Sequence, residues 1–89
     1  MKKLDLNYVV HFHDLTGKPD EVYETEAETC LDLINELEEK YPGFKKLLVL
    51  EDGRPRVQNA MILYHKGVRA HPVGDFSGEI GDGDYITFL

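Results

Sequence analysis

The first stretch of the chain, from Leu4 to His13, alternates with a period of two. That pattern predicts a β-strand burying Leu4, Leu6, Tyr8, Val10 and Phe12 on one face and turning Asp5, Asn7, Val9, His11 and His13 to the other. Turn-forming residues crowd Asp14-Leu15-Thr16-Gly17-Lys18-Pro19-Asp20, and Glu21-Val22-Tyr23-Glu24 runs back as the second strand of a hairpin. The period then changes. Thr29 offers a helix N-cap with Asp32 three residues on, and Cys30, Leu33, Ile34, Leu37 and Tyr41 fall at helical spacing as one apolar stripe. Asn35, Glu36, Glu38, Glu39 and Lys40 occupy the water side of that helix. Tyr41-Pro42-Gly43 ends it, because proline cannot continue a helix and glycine accepts a left-handed turn.

Beyond the helix, the run Leu47-Leu48-Val49-Leu50 fits a short helical turn and a strand equally well. Ala60 to Tyr64 is β-like and apolar on both faces, and His65-Lys66-Gly67 makes a hairpin turn into Val68-Arg69-Ala70-His71. A glycine-rich connection from Pro72 leads to the tight acidic turn Gly81-Asp82-Gly83-Asp84 and a closing strand, Tyr85 to Leu89. The order strand, strand, helix, strand, short strand, strand predicts an α+β fold. Its mixed sheet has four to five strands, with one main helix packed across one face, and the first and last strands pair in parallel at the centre. Residues 1–89 are expected to form a single domain.

Composition narrows the function. A chain of 89 residues buries only about 60 to 65% of the surface its unfolded form exposes, which leaves little room for an enclosed active site. Hydrophobic residues at 42% and charged residues at 30% are those of a folded globular protein. Seventeen acidic against ten basic side chains give a formal charge of -7, which repels phosphate backbones and anionic lipid. Nucleic acid and membrane are therefore set aside as partners in favour of a protein surface. The lone Cys30 cannot form an internal disulfide, and no apolar run approaches the length of a membrane span. Met1-Lys2-Lys3 leads into the first strand, not into an apolar signal core, so the cytoplasm is the expected location.

The run Asp14-Leu15-Thr16-Gly17-Lys18, the helix start Glu28-Thr29-Cys30-Leu31-Asp32-Leu33-Ile34 and the helix exit Glu39-Lys40-Tyr41-Pro42-Gly43-Phe44 are followed by Asp52-Gly53-Arg54, Lys66-Gly67-Val68-Arg69 and Gly81-Asp82-Gly83-Asp84. In this order and spacing the chain resembles the MoaD/ThiS family of sulfur carriers over essentially its whole length. The resemblance implies a ubiquitin-like β-grasp fold and a protein that is not itself an enzyme. No catalytic residue and no cofactor are carried over. The implied partners are an adenylating activating enzyme and a sulfur-accepting synthase large subunit. Such carriers end in a Gly-Gly carboxylate, which becomes an acyl adenylate and then a thiocarboxylate. Glycines suit that task because a chain without Cβ atoms threads a narrow channel. Here Leu89 stands where the final strand would lead into that tail. Two expectations follow: a carrier whose complete gene product ends in Gly-Gly, or a non-conjugating β-grasp interaction module that has lost the tail and its chemistry.

Either way the sheet surface opposite the helix is the candidate partner-binding face, with Val9, His11, Tyr85, Thr87 and Leu89 on it. Ile62 and Tyr64 extend it, since the resemblance turns Met61, Leu63 and His65 inward. Other chemistry is weaker. His11 and His13 share a strand face, and with His65 or His71 would make an imidazole site, yet no ligand spacing supports one and no metal is expected. Cys30 lies on the apolar stripe and is read as a core residue in preference to a nucleophile. The acidic turn at 81–84 lacks the spacing of a calcium loop. A monomer or weak homodimer is expected.

Overall fold

The computed structural model describes residues 1–65, 71–72 and 76–89. The strands are β1 (Lys2–Tyr8), β2 (Asp20–Thr25), β3 (Met61–Tyr64), β4 (His71–Pro72) and β5 (Tyr85–Phe88), and the helices are α1 (His11–Thr16), α2 (Cys30–Lys40) and α3 (Phe44–Leu48). The strands form one mixed five-stranded sheet in the order β2-β1-β5-β3-β4. β1 and β5 run parallel at its centre, with β2 antiparallel to β1 and β3 antiparallel to β5. β4 adds a short antiparallel edge to β3. The hairpin turn expected at 65–67 and the strand expected at 68–71 fall largely outside the described residues, and among those described His71 and Pro72 pair with Leu63 and Ile62.

All three helices pack on one side of the sheet. Cys30, Leu33, Ile34 and Leu37 repeat at the three- and four-residue steps of a helix face, and all are buried with Leu4, Leu6, Tyr8, Met61, Leu63, Ile86 and Phe88 from the strands. The Thr29 hydroxyl accepts the Asp32 N–H at 3.2 Å, as a capping residue should. Gly43, at φ +101°, turns the chain into α3. The Glu38 carboxylate accepts the Gly43 and Lys45 N–H groups there, at 3.0 and 2.9 Å. Those two backbone donors hold its carboxyl below the ordinary value. The run left open between helix and strand divides between the two, with Leu47 and Leu48 closing α3 and Val49 bridging to Pro55.

The first strand is shorter than its alternation predicts. β1 stops at Tyr8, and the Val9 carbonyl accepts the Phe12 N–H at 3.2 Å to close a turn that starts α1. Phe12 is buried, but from a helix, and Val10 is exposed instead of buried. His11 and His13 accordingly sit on α1 and not on a strand. The exposed face predicted for α2 also needs correction: Glu36 is half-buried and accepts the hydroxyls of Thr25 at 2.7 Å and Tyr23 at 3.0 Å.

β2 is tied to the helices through Glu21. Its side chain, only 9% exposed, accepts the Tyr8 and Tyr41 hydroxyls, each at 2.6 Å, and the Lys40 ammonium at 2.8 Å. Burial alone would raise this carboxyl, but the hydrogen bonds from Lys40, Tyr41 and Tyr8 outweigh it and leave it below its ordinary value of 4.5. Burial and the bond to Glu21 push the Tyr8 hydroxyl upward in turn. Because Glu21 is more acidic folded than unfolded, its contribution to stability is fully present above 4.5 and is lost as the pH falls through the lower folded-state value. Glu21→Gln should therefore flatten the acid limb of a stability-against-pH curve measured by urea unfolding. An acid limb as steep as that of the wild type would count against this role.

Candidate functional site

The open face of the sheet is set by cross-strand register. Residues directly opposite one another share a face, and the pairings place Val22, Asp5, Tyr85 and Tyr64 in one row across β2, β1, β5 and β3. Asp20, Asn7, Thr87 and Ile62 form the next. Where the strands end, the Val9 N–H donates to the Phe88 carbonyl at 2.9 Å, which continues the parallel register and sets Val9 beside Leu89. Leu89 exchanges both backbone hydrogen bonds with Ala60, its own N–H reaching the Ala60 carbonyl at 2.9 Å. Val9, Tyr64, Tyr85 and Leu89 each leave 41–42% of their surface exposed, while Ile62 and Thr87 are half-buried between them.

Six of the seven residues singled out from the sequence thus fall on one continuous surface. His11 does not belong to these rows, because β1 has already ended and the residue lies exposed on α1. Val22 was missed. It is 61% exposed and stands opposite Asp5 on this same face. Its position follows once Tyr23 is matched to the buried Leu4, since neighbours on a strand point to opposite sides.

The surface is polarised. At the β2 side it carries the exposed carboxylates of Asp5, Asp20 and Glu24, whereas the end formed by Val9, Leu89 and Ala60 is apolar. The acidic turn before β5 is internally satisfied. The Asp84 carboxylate, 4% exposed, accepts the Gly81 N–H at 2.7 Å and pairs with His65 Nδ1 at 2.8 Å. Asp82 accepts the Lys3 N–H at 2.7 Å. These carboxylates hold the turn against β1 and β3 and do not converge on a common point. Among the described residues no three His, Cys, Asp or Glu side chains are grouped as a metal ion would require, and no helix is long and apolar enough to cross a membrane. Cys30 is wholly buried at the start of α2, as its place on the apolar stripe predicted.

Neither a protein-family model nor a curated protein sequence matches the chain. Solved structures do. A Pyrococcus furiosus protein described as molybdopterin converting factor, subunit 1, superposes with a TM-score of 0.68 at 22% identity, covering 99% of this chain and 95% of that one. A chain of the BexX/CysO complex from Amycolatopsis orientalis gives 0.70 at 24% identity, over 97% and 92%. Small archaeal modifier protein 1 of Haloferax volcanii gives 0.69 at 13% identity, over 99% and 95%. Likeness at such identities defines the fold: the chain is a ubiquitin-like β-grasp protein.

Proposed function

We propose that this chain is a sulfur-carrier-type protein of the MoaD/ThiS kind. It is itself non-catalytic and lays its open sheet face on an ATP-dependent activating enzyme or a sulfur-accepting synthase. The observation that carries the reading is the parallel pairing of β1 with β5. It delivers Leu89 to the same apolar edge as Val9, two rows from Tyr85 and Tyr64 on the same face. A tail following Leu89 would leave from the rim of the docking face, so a partner seated on that face would lie within reach of its carboxylate. The fold shared with a molybdopterin converting factor subunit and with a chain crystallised in the BexX/CysO complex supports the same reading.

The chemistry asks little of the carrier beyond presentation. A carboxylate is a poor electrophile. Attack of its oxygen on the α-phosphorus of ATP expels pyrophosphate and leaves an acyl adenylate, from which a sulfur nucleophile displaces AMP. All catalytic groups for both steps belong to the partner, and the carrier supplies the docking surface.

The test uses the protein purified from its own source, incubated with ATP, a sulfur donor and the activating enzyme of that source. Intact mass spectrometry should show one oxygen replaced by sulfur at a C-terminal Gly-Gly, dependent on ATP. A protein that binds the enzyme but gives no ATP-dependent mass change is a non-conjugating interaction module instead, and the carrier reading fails.

A further inference from the structure

Val10 is the only non-glycine residue with positive φ among those described, at φ +54° and ψ -111°. It is the second residue of the turn from Val9 to Phe12, a conformation that glycine adopts in the corresponding hairpin turn. A β-branched side chain there is a genuine steric outlier. Packing does not compensate for the strain, since Val10 is 62% exposed and lies outside the hydrophobic core. Nor does capping, because no side chain caps the start of α1. The fold uses this backbone, since the Val9 and Val10 carbonyls accept the Phe12 and Asp14 N–H groups at 3.2 and 3.0 Å to start α1. It makes no use of the valine side chain, and a side chain kept there at the cost of strain points to a role outside the fold.

Its position suggests the role. Val10 follows Val9 at the apolar edge of the open face, where Val9 stands beside Leu89 and the sheet gives way to α1. We infer that Val10 is a partner-contact residue. It carries the docking surface around the corner of the sheet and inserts into an apolar socket of the activating enzyme. This inference rests on the docking reading above. The charge distribution defines the rest of that partner surface: Asp5, Asp20 and Glu24 flank the face on the β2 side, and the chain carries a formal charge of -7. The socket facing Val9, Val10 and Leu89 is uncharged, and basic side chains border it toward β2. The turn into α1 fixes the backbone at this corner, and a valine there presents an apolar side chain where glycine would present nothing.

Val10→Gly separates this role from a structural one, because strain and contact move two readouts in opposite directions. Its thermal midpoint should rise, and its affinity for the activating enzyme, measured by calorimetry, should fall about tenfold, the scale of one buried aliphatic contact. Val10→Ala should lose a similar share of affinity without the gain in melting temperature. Tyr85→Lys runs alongside as the control for the sheet face. If Tyr85→Lys loses binding while Val10→Gly binds like the wild type, the face docks and Val10 takes no part. If neither variant loses affinity, the docking reading itself fails. A lowered melting temperature in Val10→Gly would overturn the claim of strain.

Discussion

Replacing Val9 and Tyr85 together with lysine should abolish capture of the activating enzyme while leaving thermal melting within a few degrees of the wild type. Both side chains are a little under half exposed, in adjacent regions of the open face, and neither belongs to the core. Each substitution places a desolvated cation at an apolar contact, and central anchors of such interfaces cost about 2 kcal/mol or more when removed. The pair should therefore lower affinity by more than about a thousandfold. Lysine is preferable to aspartate at position 85 because Asp5 lies directly across the parallel pair. A second carboxylate there would add repulsion within the fold and confuse loss of binding with loss of stability. On the proposed docking, the added positive charge also opposes the basic border inferred for the partner. Retained capture by the double variant would place docking elsewhere on the molecule.

The largest effect on stability should come from Phe88→Ala. Phe88 is fully buried at the end of the central strand β5, with ring centroids 5.0 Å from Phe44, 5.6 Å from Phe12 and 5.9 Å from Tyr8. It is the point at which α1 and α3 pack on the central strands β1 and β5. Truncating a buried phenylalanine costs about 3–5 kcal/mol, against a total of about 5–15 kcal/mol for a natural protein. The melting temperature should fall by ~12 °C or more. Val57→Ala provides the contrast, because Val57 is 96% exposed and its truncation should change stability by less than about 0.5 kcal/mol. A Phe88→Ala protein that melts like the Val57 variant would contradict the placement of the core.

Much of this architecture was legible because the chain announces its periods. Leu4, Leu6 and Tyr8 alternate with charged or polar neighbours. Cys30, Leu33, Ile34 and Leu37 step at helical spacing, and Thr29 with Pro42 and Gly43 marks the two ends of α2. The misreading at residues 9–13 has a physical cause. Val10 and Phe12 prolong the strand alternation after the strand has ended, and the corner that ends it holds a valine in place of glycine. No turn signal was there to be read. α3 spans five residues, too short for a helical period to stand out from an apolar strand.

The site was legible in part for a related reason. Alternation along the first and last strands assigns Val9, Tyr85, Thr87 and Leu89 to a face, and Ile62 and Tyr64, on a strand apolar on both sides, were placed there only by the family resemblance; register is what joins these positions into a surface. Register also brought in Val22, which no pattern within its own strand distinguishes from an ordinary exposed residue. Glu36 and Glu38 read as solvated charges and Glu21 carried no signal beyond its place on a strand, yet Glu21 and Glu36 accept hydroxyls from other elements and Glu38 accepts the N–H groups of the turn after α2. Such partners are set by tertiary packing and leave no local trace.

The central claim is that the partner meets the sheet on the side the helices leave open. Amide chemical shifts of the isotope-labelled protein, followed as the activating enzyme is added, test it most directly. Perturbations should concentrate at Val9, Val10, Tyr64, Tyr85 and Leu89 and spare the outward positions of α2. Shifts clustered instead on Asp32, Asn35 and Glu39, with the open face unmoved, would contradict it.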